Sequence, residues 1–340
     1  MRFLGVMIIM IAHAEAPEWV NQLRNFGTPL LIVASALSYA VVYKNRELSI
    51  LPFLRKRLSR LTLPVWIFLT GFFLLCYLFS LIVGMNYPFD VRTIISSYMF
   101  YNGIGFVWIF KVYIILALIT PLALHYKRNV PSDSIYFISI VICYGIHELI
   151  IRVSAPCIPV HLEGFMNSVI FIIIPYSLLY LYGLKLGALS DRQVMFISAS
   201  FLIVFASIAA YMKAHNGSFV PTEQYKFPPT IYYLSYALFA LHAVYLFCRH
   251  AVGYMNPKVI IWLSSHSLWI YLWHIFAVSL WGYWVKTLGL MHGNPLTSLF
   301  KFLFILGFGI LCTYLQTTAV KRYLAQDRCL VFRRIALLLT

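Results

Sequence analysis

Arg2 and His13 stand eleven residues apart in the first apolar segment of this chain, and Arg57 and Arg60 stand three apart at the head of a later one. An ionisable side chain at the centre of a membrane helix costs roughly 2.5–3.5 kcal/mol on insertion scales, so those retained there line a cavity or a site. A neutral imidazole, with an ordinary pKa of about 6.5, can take the proton of a hydroxyl as that hydroxyl attacks a carbonyl. Two guanidinium forks at i and i+3 share a helix face and match phosphate oxygens in pairs. On a helix, positions 2 and 13 are close to three full turns apart, on one face and about 16 Å from each other. A base at one end and cations at the other suit a ligand with a charged head and a long thin arm, and coenzyme A is such a ligand. The plain alternatives are arginines that anchor a loop at the membrane surface and a histidine that donates to a neighbouring carbonyl.

The elements that must position these groups are membrane helices. Of the 340 residues, 62% are hydrophobic and 11% charged, and the mean hydropathy is +0.84. A soluble domain carries roughly 25% charged residues, so a soluble enzyme or binding module is excluded. Stretches apolar enough to span a bilayer fall near residues 3–14, 26–43, 61–84, 106–124, 135–151, 165–184, 193–212, 230–248, 259–285 and 296–316. The expected fold is an all-α polytopic membrane protein, a bundle of about ten transmembrane helices.

Lys and Arg collect in alternate loops, at 44–60, 127–128, 185–192, 249–258 and 321–334, while the intervening loops hold single charges such as Arg24, Arg92 and Lys213. Short cytoplasmic loops hold the positive excess, so both termini are predicted to be cytoplasmic. Residues 1–320 then form one membrane domain and 321–340 a basic cytoplasmic tail. The net charge of +16 follows from those loops on a chain poor in acids. No basic stripe interleaves with exposed aromatics in a soluble module, so no nucleic-acid partner is implied.

External stretches near 85–105, 152–164 and 213–229 carry Pro, Gly and Asn among aromatics and read as caps over an outer mouth. Cys76, Cys143, Cys157, Cys248, Cys312 and Cys329 form no close pair. Neither a metal site nor a disulfide framework is expected of them, and Cys157 alone falls in an external loop. The first span is short for a hydrocarbon core of about 30 Å, which places the expected natural start upstream of Met1. Arg2, the apolar run to Ile11 and Ala12-His13-Ala14 also fit a short secretory signal with a small-residue cleavage site.

In their order and spacing these motifs resemble the integral-membrane acyltransferase family 3, whose members O-acylate surface carbohydrates. The family's first helix carries a basic residue, ten intervening residues and a histidine, here Arg2 to His13. Its third helix opens on Arg-x-x-Arg followed by a proline and an aromatic, here Arg57-Leu-Ser-Arg60 and then Pro64-Val-Trp66. The second helix, often Phe-Phe-x-x-Ser-Gly-Phe, corresponds to Leu31 through Ser35 to Tyr39, with Ala36 where glycine is usual. Later echoes are Val107-Trp108 with Pro121 in the fourth span and Ile270-Tyr271-Leu-Trp-His274 in the ninth. Each motif is common alone; their order and helix context make the resemblance specific, and it covers nearly the whole chain.

The resemblance implies that His13 is the essential histidine with Arg2 as its basic partner, and that Arg57 and Arg60, with Lys56 beside them, handle an acyl-CoA donor at the cytoplasmic mouth. Ser35, Trp108, Glu148 and His274 are candidates for the acceptor side or for support of the site. Trp108 can stack on the apolar face of a sugar. Glu148, beside His147, can orient an imidazole, bind a sugar hydroxyl, or simply sit at the outer interface. His274 carries the family echo with no role that follows from its chemistry. Lys111 and His266 are further ionisable groups at membrane depth.

The expected activity is transfer of an acyl group, acetyl above all, from cytoplasmic acyl-CoA to a hydroxyl of a cell-surface or lipid-linked carbohydrate. Acetyl-CoA is then a co-substrate, and no permanently bound cofactor or metal is expected. The expected partners are acyl-CoA, a carbohydrate acceptor (O-antigen, capsule or exopolysaccharide) and membrane lipid, at a bacterial inner membrane. The alternative is an exporter or flippase of glycans or acyl products with a related fold, which polar residues lining a cavity serve equally well. A polysaccharide polymerase would call for a large external loop with arginines.

Overall fold

The computed structural model describes residues 1–101, 103–254, 256–288, 295–324 and Leu339. Cys329 and most of the predicted basic tail lie outside the described residues. The chain is a succession of helices: α1 (Arg2–Ala12), α2 (Glu18–Leu23), α3 (Gly27–Val42), α4 (Ile50–Val83), α5 (Val91–Tyr98), α6 (Trp108–Asn129), α7 (Asp133–Ser154), α8 (Val160–Phe165), α9 (Phe171–Leu186), α10 (Asp191–Asn216), α11 (Ile231–Ala251), α12 (Pro257–Ser265), α13 (Ser267–Leu288) and α14 (Pro295–Ala319). No strand occurs among the described residues. Among the described residues, eight helical stretches are long and apolar enough to cross a membrane, and α12 with α13, bent by 65°, makes a ninth if counted as one broken span. With the short apolar α1 these account for the ten predicted segments. The protein is an all-α polytopic membrane protein. α1 has only 11 residues and rises about 16 Å, roughly half a hydrocarbon core.

The chain divides into two compact units, one of Met1–Ile9, Glu18–Leu48 and Leu118–Pro257, the other of Met10–Pro17, Ser49–Ala117 and Lys258–Thr340. In the first unit α3 packs against α9 with almost no gap. A Cβ on Gly183 would lie 2.8 Å from the Cβ of Ala36 and 3.1 Å from the Cα of Val33. The small residue is therefore required on the α9 side, opposite the position where Ala36 departs from the family glycine.

Polar groups removed from water must find partners within the protein, and one end of this unit meets that demand with side chains. Asn25 Nδ2 donates to Thr222 Oγ1 at 2.8 Å, Gln22 Oε1 accepts the Thr222 N–H at 2.9 Å, and the Tyr236 hydroxyl donates to the Leu23 carbonyl at 2.8 Å. The connection predicted as an external loop over 213–229 is thus folded, with a helical turn at Thr222–Tyr225 and a cis Phe227–Pro228 peptide. Lys226 there is buried, and burial pushes its ammonium below the ordinary range against the pull of Glu223, 2.9 Å away.

In the second unit α4 has 34 residues, a rise of about 51 Å. The apolar window predicted this helix only from residue 61, because Arg55 to Arg60 end the hydrophobic run. The structure begins it at Ile50, since Leu, Arg and Lys are good helix formers wherever water reaches them. Gly84 ends it in the left-handed conformation, at φ 69. Phe68 and Phe72 of α4 meet Trp273 and Phe276 of α13 with ring centroids 6.0 and 6.3 Å apart. α13 and α14 approach closely: a Cβ on Gly309 would lie 3.0 Å from the carbonyl oxygen of Ile270, and Trp273 Nε1 donates to Gln316 Oε1 at 2.7 Å.

Candidate active site

His13 does not lie on α1, as the spacing from Arg2 implied. The helix ends at Ala12, and the His13 and Ala14 N–H groups donate to the carbonyls of Met10 and Ile11 at 3.0 and 3.1 Å. These i to i−3 bonds tighten the last turn, and Glu15 then takes a left-handed conformation, at φ 55, that carries the chain away from the helix axis. His13 therefore sits half-buried on a turn, and its position is set by what surrounds that turn in the second unit.

Two aromatic neighbours face it. The His13 ring centroid is 4.6 Å from that of Phe106, edge to face, and 5.4 Å from that of His274. Phe106 also meets His274 at 5.8 Å, so three rings form one cluster. The Tyr271 hydroxyl, one turn before His274 on α13, donates to the Phe106 carbonyl at 2.6 Å and so ties the Phe106 segment to that helix.

His274 is fully buried. Its Nδ1 bonds the Tyr271 carbonyl, and a carbonyl can only accept, so Nδ1 carries the hydrogen and the neutral ring presents a bare acceptor at Nε2. That Nε2 is buried and has no hydrogen-bond partner. An unpaired buried acceptor costs about 1–3 kcal/mol, which a protein retains where something else needs it.

A second set of contacts holds the turn from behind. Ser298 Oγ donates to the Glu15 carbonyl at 2.7 Å, and the Lys301 ammonium donates to Glu15 Oε1 at 2.6 Å. Both come from the first turns of α14, and the Lys301 side chain is 5% exposed. Glu15, Ser298, Lys301 and Phe106 were not singled out from the sequence, and Tyr271 was noted only as part of the motif that ends at His274. Lys301 had a readable signal, a lysine inside the apolar run 296–316; the left-handed Glu15 had none.

Arg57 and Arg60 lie one turn apart in the N-terminal part of α4, Arg57 half-buried and Arg60 exposed, with Lys56 exposed beside them. Phe68, which packs on the residue preceding His274, is eleven residues further along α4. Counted from Arg57, with Arg60 eight residues away, that spacing sets the two arginines about 16 and 12 Å along the helix from the level at which α4 meets α13. Trp108 opens α6 in this unit, half-buried. Lys111, one turn later, lies over the Tyr101 ring at 5.4 Å, and His266 stacks on Trp262 at the bend between α12 and α13, with ring centroids 4.8 Å apart.

The remaining predicted residues belong to the first unit. Arg2 is half-buried, with its Nε buried and unpartnered, and Ser35 is buried in α3. Glu148 Oε1 accepts the Ile231 N–H at 2.7 Å and the Tyr144 hydroxyl at 2.6 Å. It thereby satisfies a first-turn amide of α11, an amide left without a partner inside its own helix. His242, not noted from the sequence, is a buried core histidine bonded to the Tyr182 hydroxyl. Among the described residues, no group of three or more His, Cys, Asp and Glu is placed to hold a metal ion.

The arrangement in the second unit offers a half-exposed imidazole on a held turn, a buried imidazole beside it with a free acceptor, and a pair of cations further along a helix that packs on the same site. A family model described as an acyltransferase domain matches residues 1–316. No curated protein and no solved structure matches the chain.

Proposed function

We propose, from the premise that this chain belongs to acyltransferase family 3 and is an integral membrane acyltransferase, that it carries an acyl group, acetyl above all, from acyl-CoA to a hydroxyl of a cell-surface or lipid-linked carbohydrate. The observation that carries the reading is the His13 imidazole standing 5.4 Å from the buried imidazole of His274. His13 takes the proton of the acceptor hydroxyl as its oxygen attacks the thioester carbon. The carbon–oxygen ester bond forms, the carbon–sulfur bond breaks, and the coenzyme A thiolate leaves with the proton that His13 held. His274 Nε2 accepts a hydrogen bond from the His13 N–H and so favours the imidazolium during that exchange.

Arg57 and Arg60, with Lys56, hold the donor's phosphates, and the stretch of α4 from there to Phe68 is of a length suited to a long thin arm. Arg2 is assigned by the family motif. Trp108 is the residue best suited to the sugar face, since it opens a helix in the same unit. Glu148 and Ser35 lie in the first unit, and Glu148 already serves α11. The acceptor is an O-antigen, capsule or exopolysaccharide unit, and the membrane is the bacterial inner membrane with the donor on its cytoplasmic side.

The test is transfer of labelled acetyl from acetyl-CoA to surface glycan in membranes carrying the wild type or His13→Ala at matched protein level. Label on the glycan with the wild type alone supports an enzyme that uses His13. Equal labelling by a stable His13→Ala variant sinks that role, and unlabelled glycan in both moves the reading to transport.

A further inference from the structure

Two residues beyond His13 the backbone takes a conformation that side chains disfavour, and a buried cation meets it there. Glu15 sits at φ 55, the left-handed region, where a residue bearing a Cβ stays only if its surroundings hold it. Both of its polar ends are gripped by one helix face. Ser298 Oγ holds its carbonyl at 2.7 Å and the Lys301 ammonium holds its carboxylate at 2.6 Å. Ser298 and Lys301 are i and i+3 on α14, so a single rigid surface makes both bonds.

Lys301 is 5% exposed in an apolar helix, whereas the Glu15 side chain is 52% exposed. A buried lysine is retained against its insertion cost where it has a partner and a task. Were stability the only task, a neutral pair of like volume would serve as well, because desolvation of the two charges offsets much of their attraction.

We propose that Glu15, Ser298 and Lys301 form a clamp that positions His13, and that Glu15 and Lys301 are positioning residues for the acyl transfer proposed above, on which this inference rests. The chain between clamp and imidazole has almost no slack. Ala14 is buried, and its N–H is committed to Ile11. On the other side the turn continues directly from α1. Release of Glu15 lets the left-handed turn relax, and the His13 ring then leaves its place between Phe106 and His274. A misplacement of about 1 Å in a reacting group can cost on the order of 100-fold in rate.

The experiment uses the full chain in membranes, with labelled acetyl-CoA as donor, and compares the wild type with the neutral double variant Glu15→Gln/Lys301→Met, with Lys301→Arg and with the charge-reversed Glu15→Lys/Lys301→Glu. Site-resolved carbethoxylation of His13, read by mass spectrometry without substrate, is measured in parallel. The double variant is expected at wild-type abundance, with kcat lowered roughly 10- to 100-fold, the KM for acetyl-CoA within about twofold, and His13 carbethoxylated faster. Lys301→Arg, and in part the reversed pair, restore kcat.

Wild-type kcat and an unchanged carbethoxylation rate in the double variant overturn the clamp, as does a loss of activity that only follows protein abundance. If the wild type shows no His13-dependent transfer while His13 still becomes more reactive in the double variant, the acyltransfer chemistry fails and the clamp stands.

Discussion

Replacement of His274 by asparagine separates a structural histidine from a working one. The asparagine Nδ2 takes the place of the ring Nδ1 and keeps the bond to the Tyr271 carbonyl, while no acceptor reaches the position of Nε2. Two contributions to stability must be weighed. The smaller side chain gives up packing against Phe106, Tyr271 and His13, whose rings lie at 5.8, 4.6 and 5.4 Å, while the carboxamide oxygen replaces one unpaired buried acceptor with another, so that cost is carried over unchanged. The variant is expected to fold and accumulate, with a loss of about 0.5–3 kcal/mol in stability.

Catalysis depends on Nε2 itself. A hydrogen bond to a charged partner is worth roughly 1.5–3 kcal/mol, so loss of the bond to the His13 imidazolium lowers kcat by about 10- to 150-fold. The KM for acetyl-CoA is expected to stay unchanged, because His274 faces His13 rather than the basic segment of α4 proposed to hold the donor's phosphates. The assay is labelled acetyl transfer in membranes at matched protein level over a range of donor concentrations. A well-folded His274→Asn protein with wild-type kcat would refute the assignment of Nε2 to the reaction.

Three further outcomes are expected. Arg57→Lys or Arg60→Lys replaces a planar fork with a point charge and raises the KM for acetyl-CoA by about tenfold or more; acetyl-pantetheine, which lacks the adenosine phosphates, should not distinguish these variants from the wild type in the same steady-state assay. Gly183→Ala drives a Cβ to 2.8 Å from Ala36 and lowers stability by about 1–3 kcal/mol, seen as a lower melting temperature in detergent, and Ala36→Gly in the same chain restores only part of it, because the Val33 Cα still lies 3.1 Å from the new methyl. Glu148→Gln keeps an acceptor for the Ile231 amide and leaves stability within about 1 kcal/mol, whereas Glu148→Ala costs about 1–2 kcal/mol as any lost cap does; thermal unfolding checks both, and a larger loss with Gln would show that the charge itself matters.

The residues legible in the sequence were those whose presence is costly. Arg57, Arg60 and His13 stand out because an ionisable group in or beside an apolar run needs a reason, and the helices themselves follow from hydropathy. What could not be read was where the chain stops being helical. Pro17 announces a break within four residues of His13, but no residue type places it at Ala12, since Glu15 adopts its left-handed conformation in contact with residues nearly three hundred positions away.

The meeting of His13 with His274 is equally a property of packing, because the two belong to distant helical segments. Lys301 was overlooked although its signal was present, a lysine between Phe300 and Phe302 inside a predicted span. The apolar window for α4 began only at residue 61, beyond the Arg57–Arg60 motif at the head of the same helix, because charge ends such a window without ending a helix.

The length of α4 has a consequence for the membrane as a whole. A helix of 34 residues rises about 51 Å, so roughly 20 Å of it stands among headgroups and water. The part bearing Arg55, Lys56, Arg57 and Arg60 must be that portion. A fork shaped for phosphate does not distinguish a nucleotide from a phospholipid, and anionic lipids are drawn to such a segment by about 1 kcal/mol per basic residue. Anionic headgroups are therefore drawn to the same segment in which the donor's phosphates are proposed to bind.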